Sequence, residues 1–88
     1  MLIDARDNGH PKPIQYMGTV IMVPRHAKWV AIDADGVVWA YLIEDEPPHV
    51  PAVRGATRWC TMWSNDKVFC GAAELGGVNW KETLMRVE

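Results

Sequence analysis

The stretch KWVAIDADGVVWAYLIE, residues 28–44, constrains the fold more than any other part of the chain. Two runs rich in β-branched and aromatic residues flank Asp33-Ala34-Asp35-Gly36. Asp is favoured in turns for its local hydrogen bonds, and Gly supplies the positive φ that a hairpin turn requires. The pattern therefore predicts two antiparallel strands joined by a tight turn.

The side chains also indicate the register of this hairpin. If the loop is residues 34–36, Trp29 lies opposite Tyr41 and each strand face carries one kind of side chain. The predicted pairs are Trp29 with Tyr41, Ala31 with Trp39, and Asp33 with Val37. The aromatic face carries Trp29, Trp39 and Tyr41, and the aliphatic face carries Val30, Ile32, Val38, Ala40 and Leu42. A two-residue loop, residues 35–36, would mix these two sets, so we prefer the longer loop.

Composition limits the class of protein. The 88 residues are enough for a single domain, 1–88, and a hydrophobic fraction of 49% with five Trp residues indicates a folded chain. A formal net charge of −2 gives no general attraction to nucleic acid or anionic membranes, so we expect neither as a partner. No apolar run has the roughly 20 residues needed to cross a bilayer, and the first ten residues lack a signal-peptide pattern. We expect a soluble cytoplasmic protein in which Cys60 and Cys70 are thiols.

The segments around the central hairpin complete a small sheet. Residues 1–13 are mostly polar and end in two prolines, which predicts an irregular arm. Residues 14–23 are predicted to form one strand, in which Gly18 marks a bulge or a close backbone approach. Residues 44–56 contain three prolines and predict a loop. This loop begins with the acidic residues Glu44, Asp45 and Glu46.

A second hairpin is predicted for residues 58–75, with its turn at residues 64–66. A three-residue turn places Cys60 opposite Cys70 and Trp59 opposite Gly71. In the tail, Asn79 and Glu82 have the spacing of a capping box, which predicts a short helix. Helical spacing puts Trp80, Leu84 and Val87 on one side of it. The predicted fold is α+β or mainly β, a small antiparallel sheet of four to five strands built from two hairpins, with a short C-terminal helix.

The sequence holds no motif for catalysis. Cys60 and Cys70 lack the spacing of a zinc site, although they could in principle combine with His10, His26 and His49. No nucleophile elbow, phosphate-binding loop or dinucleotide fingerprint is present. We therefore expect no catalytic residue, no metal site, no cofactor and no enzymatic activity.

The aromatic residues are the more informative feature, because a thin sheet has difficulty covering both of its faces. They are Trp29, Trp39, Tyr41, Trp59 and Trp63. One interpretation is that other segments or a second copy of the chain cover them, and we expect more than a monomer. Another is that the face binds a partner, since Trp and Tyr dominate binding hot spots. A third is that they stack on a nucleotide base, for which Arg25, Lys28, Arg54 and Arg58 would have to converge.

The chain also resembles a known group of proteins. The hairpin KWVAIDADGVVWAY, the proline-rich loop, the Trp-containing second hairpin and the closing segment WKETL are similar to the small uncharacterised proteins that bacteriophages and prophages encode. The similarity covers roughly residues 24–87 and implies binding to host factors, including defence systems, without catalysis. No functional residue is carried over by this resemblance.

Two functional hypotheses follow. The first is a phage-type accessory protein that binds and modulates a host protein through an aromatic and acidic surface, in the host cytoplasm. Its candidate binding residues are Trp29, Trp39, Tyr41, Glu44, Asp45 and Glu46. The alternative is a small module that sequesters a nucleotide-like molecule in an aromatic pocket, which two copies of the chain could form together.

Overall fold

The computed structural model describes residues 11–42, 47–61 and 67–87, which form a mainly β structure with two antiparallel sheets. The smaller sheet pairs β1 (Lys12–Tyr16) with β2 (Thr19–Val23). The larger sheet has four strands, β3 (Trp29–Ile32), β4 (Val37–Tyr41), β5 (Lys67–Ala72) and β6 (Met85–Arg86). Their order across the sheet is β5-β4-β3-β6. The prediction of a small, mainly β antiparallel fold is confirmed.

The central hairpin, β3 and β4, has the predicted register. Trp29 pairs with Tyr41 across the two strands. The backbone N–H of Asp33 donates to the carbonyl of Val37 over 3.0 Å, which closes a loop of residues 34–36. Gly36 has a φ of +89°, the left-handed conformation that the loop requires. The three-residue loop is therefore confirmed.

The segment 14–23 is two strands and not one, so that prediction was wrong. Met17 and Gly18 have φ angles of +54° and +81°, and they form a two-residue turn that joins β1 to β2. Such turns need a positive φ at both residues, and Met rarely adopts one, which hid the turn in the sequence. Lys12 and Pro13 belong to β1, so the predicted arm cannot extend to residue 13. Residues 1–10 lie outside the described residues.

The predicted second hairpin was also wrong, because β5 pairs with β4. Gly71 lies opposite Val38 and not opposite Trp59, and Cys60 forms an isolated β-bridge with His49 and not with Cys70. Strand β5 pairs with the open edge of β4 instead. The backbone N–H and carbonyl of Cys60 are both hydrogen-bonded to His49 in the bridge. The predicted turn at residues 64–66 lies outside the described residues.

The C-terminal helix is reduced to a single 3-10 turn, Trp80–Glu82, followed by β6. Asn79 caps this turn as predicted, and its Oδ1 accepts a hydrogen bond from the N–H of Lys81 over 3.0 Å. Because the chain then continues as a strand, residues three apart point to opposite sides. Leu84 therefore packs with the aromatic residues, whereas Val87 belongs to the aliphatic core.

Both faces of the larger sheet are covered. The β1–β2 hairpin covers the aliphatic face with Tyr16 and Val23, which are 3% and 0% exposed. On the aromatic face, Trp59 packs against Ala31 and Tyr41. A sheet with two apolar faces needs a layer on each side, and the chain supplies both.

Thr83 joins the layers at the edge of the sheet. Its hydroxyl accepts a hydrogen bond from the N–H of Ile32 over 2.9 Å and donates to the carbonyl of Trp80 over 2.7 Å. Its own carbonyl accepts a hydrogen bond from the Tyr16 hydroxyl. Burial raises the pKa of Tyr16 to about 12, so that hydroxyl remains a donor at neutral pH.

We expect Thr83→Val to lower the free energy of unfolding by about 1–3 kcal/mol. Val matches the shape of Thr but cannot accept the hydrogen bond from Ile32, so a buried N–H loses its partner. Urea denaturation measures the change, and Thr57→Val, at an exposed loop position, is the matched control. Equal effects of the two substitutions would contradict this role of the Thr83 hydroxyl.

Candidate functional site

The structure buries most of the aromatic face. Tyr41 is 1% exposed and Trp59 is 6% exposed, whereas Trp29 and Trp39 are half-buried. The guanidinium carbon of Arg86 lies 5.5 Å from the centroid of the Trp29 ring, an arrangement that cation–π attraction favours. Tyr41 is therefore a core residue, and of the three aromatic residues predicted to bind, Trp29 and Trp39 stay partly accessible.

Trp59 is the main cover of the aromatic face, and its position is fixed by hydrogen bonds. Its indole Nε1 donates to the carbonyl of Ile32 over 3.0 Å, and its backbone N–H donates to Oδ1 of Asp33 over 2.9 Å. The ring meets Trp80 edge-on, with centroids 6.3 Å apart. Asp33, which is 3% exposed, thus holds the covering segment on the central hairpin.

The exposed part of the aromatic face lies where β4 meets β5. The strand register puts Phe69 opposite Trp39 and Lys67 opposite Tyr41. Phe69 is 62% exposed and meets the Trp39 ring edge-on, with centroids 5.9 Å apart. Nζ of Lys67 lies 4.3 Å from the centroid of the Trp39 ring. We call Trp39, Lys67 and Phe69 the aromatic edge.

The sequence predicted only one residue of the aromatic edge. Trp39 was a candidate binding residue, but Phe69 and Lys67 were missed because the predicted second hairpin paired their strand with residues 58–63. The spacing of Lys67 and Phe69 could have shown that the two side chains lie together, since residues two apart share a face of a strand.

A small pocket lies beside the aromatic edge. It has a volume of about 170 Å³ and is lined by Tyr41, Arg58, Trp59, Cys60, Thr61 and Lys67. Ligand pockets for drug-sized molecules measure roughly 300–1,000 Å³, so this one suits a single ring or a small anionic group. Of the four basic residues that a nucleotide site would have to bring together, Arg58 alone lines the pocket, and Lys67 supplies its second positive charge.

Tyr41 and Cys70, both in the larger sheet, have raised pKa values. Burial raises the pKa of Tyr41 above its ordinary value, as do the nearby Asp33 and Cys60, and the neutral phenol is a weak base. Burial also raises the pKa of the Cys70 thiol, which disfavours the nucleophilic thiolate. Among residues 11–42, 47–61 and 67–87, no group of three or more His, Cys, Asp or Glu residues is placed to hold a metal ion.

The acidic candidates Glu44, Asp45 and Glu46 lie outside the described residues, as does Trp63. Both Cys60 and Cys70 are free thiols. In the described part of the chain, no helix has the length and apolar character that crossing a membrane requires. No protein-family model, curated protein or solved structure matches the chain.

Proposed function

We propose that this chain is a phage-type accessory protein that binds and modulates a host protein, without catalysis, through the aromatic edge and the acidic segment 44–46. The observation that carries the proposal is the exposure of Phe69, 62%, beside a half-buried Trp39 that Lys67 overlies. Large aromatic side chains at a surface are typical of binding hot spots.

The exposed apolar area of Phe69 sets how much a partner would gain by covering it. An aromatic side chain buries roughly 200 Å², so the exposed part of Phe69 is on the order of 120 Å². At about 25 cal/mol per Å², covering this area contributes about 3 kcal/mol to a complex. That is sufficient for one residue to change affinity by about two orders of magnitude.

Charged residues of both signs accompany the aromatic edge. Lys67 and Arg58 line the pocket, and Lys67 pairs with Tyr41 at the end of β4. Glu44, Asp45 and Glu46 follow the end of β4 in the sequence, and β4 carries Trp39. A partner that presents an apolar patch flanked by both signs of charge would match this arrangement. The partner's basic groups would face the acidic segment, and its acidic groups would face Lys67 and Arg58.

We expect Phe69→Ala to reduce capture of the host protein at least tenfold in affinity. The tagged protein is incubated with bacterial lysate, and the captured species is compared between variants by quantitative mass spectrometry. Val53→Ala is the matched control, because Val53 is 64% exposed and belongs to neither sheet. Thermal melting of both variants should match the parent protein. Unchanged capture by Phe69→Ala would refute the aromatic edge as the binding surface.

The alternative function, binding of a nucleotide-like molecule, is favoured by the pocket alone. Trp59 and Tyr41 supply aromatic walls, and Arg58 and Lys67 supply positive charge. A ligand at about 100 times its Kd would stabilise the protein by roughly 2.7 kcal/mol, which a thermal-shift screen with nucleotides detects. Loss of that shift in Arg58→Ala would assign the ligand to the pocket. A screen without any shift would favour the host-protein hypothesis.

A further inference from the structure

Strand β5 forms one edge of the larger sheet, and within the described residues it pairs on one side only. In an antiparallel ladder, alternate residues direct both backbone groups to the same neighbour. The hydrogen bond from Asp33 to Val37 places Trp39, two residues along, among those bonded to β3. Phe69, opposite Trp39, therefore directs its own N–H and carbonyl away from β4, toward the open side of the sheet.

This edge lacks most of the features that protect edge strands from pairing. Proteins protect such edges with prolines, charges or bulges, or by keeping the strand short. Here β5 has six residues and no proline, and its one charged residue, Lys67, stands at its start. Besides Lys67, the strand has one protective feature, the register shift opposite Val38 and Trp39. Val68 and Phe69 are 38% and 62% exposed, so each face of this edge exposes an apolar side chain.

We propose that a second copy of the chain pairs with β5 through its own β5, antiparallel and about a two-fold axis at Phe69. The backbone groups of Phe69 in the two copies would then bond to each other, and the two Phe69 rings would lie side by side on one face. An antiparallel joint centred there places the two Lys67 residues roughly 13 Å apart along the strands. This separation exceeds the screening length of about 10 Å at 0.1 M salt, so like charges do not oppose pairing.

The dimer would turn two sheets of four strands into one continuous sheet and place both aromatic edges on the same face. Its formation does not depend on a host partner, and purified protein alone tests it. A joint of one strand pair buries less area than the roughly 1,200 Å² of most stable interfaces. The dimer is therefore expected to dissociate at micromolar concentrations.

Sedimentation equilibrium between about 10 μM and 1 mM tests the proposal. The parent protein should approach twice the monomer mass at the highest concentration, and Val68→Lys should weaken the dimer at least tenfold because it places two charges near the axis. Val20→Lys is the matched control, since Val20 is 57% exposed on β2 in the other sheet. Thermal melting shows that each variant is folded. A monomer at all concentrations, or a dimer that Val20→Lys weakens and Val68→Lys does not, would overturn the proposal.

A cross-linking experiment tests the register without relying on Val68. Directly opposed, hydrogen-bonded residues of antiparallel strands have Cα atoms about 5.5 Å apart, which suits a disulfide. Phe69→Cys should therefore form a covalent dimer under mild oxidation. Val53→Cys, which adds the same number of thiols at an exposed loop position, should not. Equal cross-linking of the two variants would show that Phe69 does not lie at a two-fold axis.

Discussion

Trp59→Ala is expected to lower the free energy of unfolding by about 3–5 kcal/mol, a large share of the roughly 5–15 kcal/mol that stabilises a typical domain. Trp59 is 6% exposed and covers Tyr41 on the aromatic face of the sheet. The substitution removes this cover, the hydrogen bond from Nε1 to Ile32 and the edge-on contact with Trp80. A cavity of that size cannot close, because the rigid sheet lies beneath it.

Thermal melting and urea denaturation measure this effect. Trp59→Phe separates the hydrogen bond from the packing, because Phe retains most of the ring but cannot donate to Ile32. We expect it to cost clearly less than Trp59→Ala. Phe69→Ala, at an exposed position on the same face, should leave the melting temperature within a few degrees of the parent. A small effect of Trp59→Ala would show that the segment of residues 47–61 is not part of the core.

Phe69 is a sharper probe of the aromatic face than Trp39. If Trp39 were fully exposed or fully buried, the effect of Trp39→Ala on stability would show which of the two it is. Trp39 is half-buried and touches both Phe69 and Lys67, so its removal affects stability and binding together. Phe69 belongs to the same surface and is 62% exposed, so its removal affects binding more than stability.

The central hairpin was predictable because its determinants are local. The turn chemistry of residues 33–36 and the alternation of aromatic and aliphatic side chains both act within seventeen residues, 28–44. A slip of one residue would have mixed aromatic and aliphatic side chains on each face, so the pattern favoured one register. The aliphatic face and the aromatic face of this hairpin each became part of one of the two core clusters.

The placement of β5 was not predictable, because the partner of a strand is chosen by non-local contacts. Residues 58–63 and 67–75 are adjacent in the sequence and both suit strands, which favoured a hairpin. In the structure, Trp59 packs on the face of the sheet, and Lys67–Ala72 pairs with the edge of β4. Local patterns could not show which of two apolar segments would pair and which would pack on top.

The sequence predicted which kind of side chain forms the candidate site, but not which of these side chains is exposed. The sequence pointed to an aromatic face, and the structure places Trp29, Trp39 and Tyr41 on it together. Which of them stays accessible depends on Trp59, whose position rests on a hydrogen bond to Asp33, 26 residues away. The exposed residue of that face, Phe69, became a candidate only when β5 was placed beside β4.

Gly36→Ala is expected to cost about 3 kcal/mol or more, for two separate reasons. Gly36 has a φ of +89°, where an L residue is strained by roughly 1–2 kcal/mol. A Cβ at this position would also lie 2.5 Å from the backbone carbonyl oxygen of Ala73. The same two residues are joined by a hydrogen bond of 2.8 Å from the N–H of Ala73 to the carbonyl of Gly36. Relieving the clash therefore requires the chain after β5 to move away from the central turn.

Gly55→Ala separates the two reasons. Gly55 has a φ of +81°, and no atom lies within 4 Å of the place that a Cβ would take, so its substitution carries the backbone strain without the clash. We expect it to cost about 1–2 kcal/mol, and the excess for Gly36→Ala measures the clash with Ala73. Urea denaturation gives both values, and hydrogen exchange should show faster exchange in β5 for Gly36→Ala alone. Equal costs with unchanged exchange would mean that the central turn and the end of β5 are not in contact, and that the edge of the sheet is positioned by other residues.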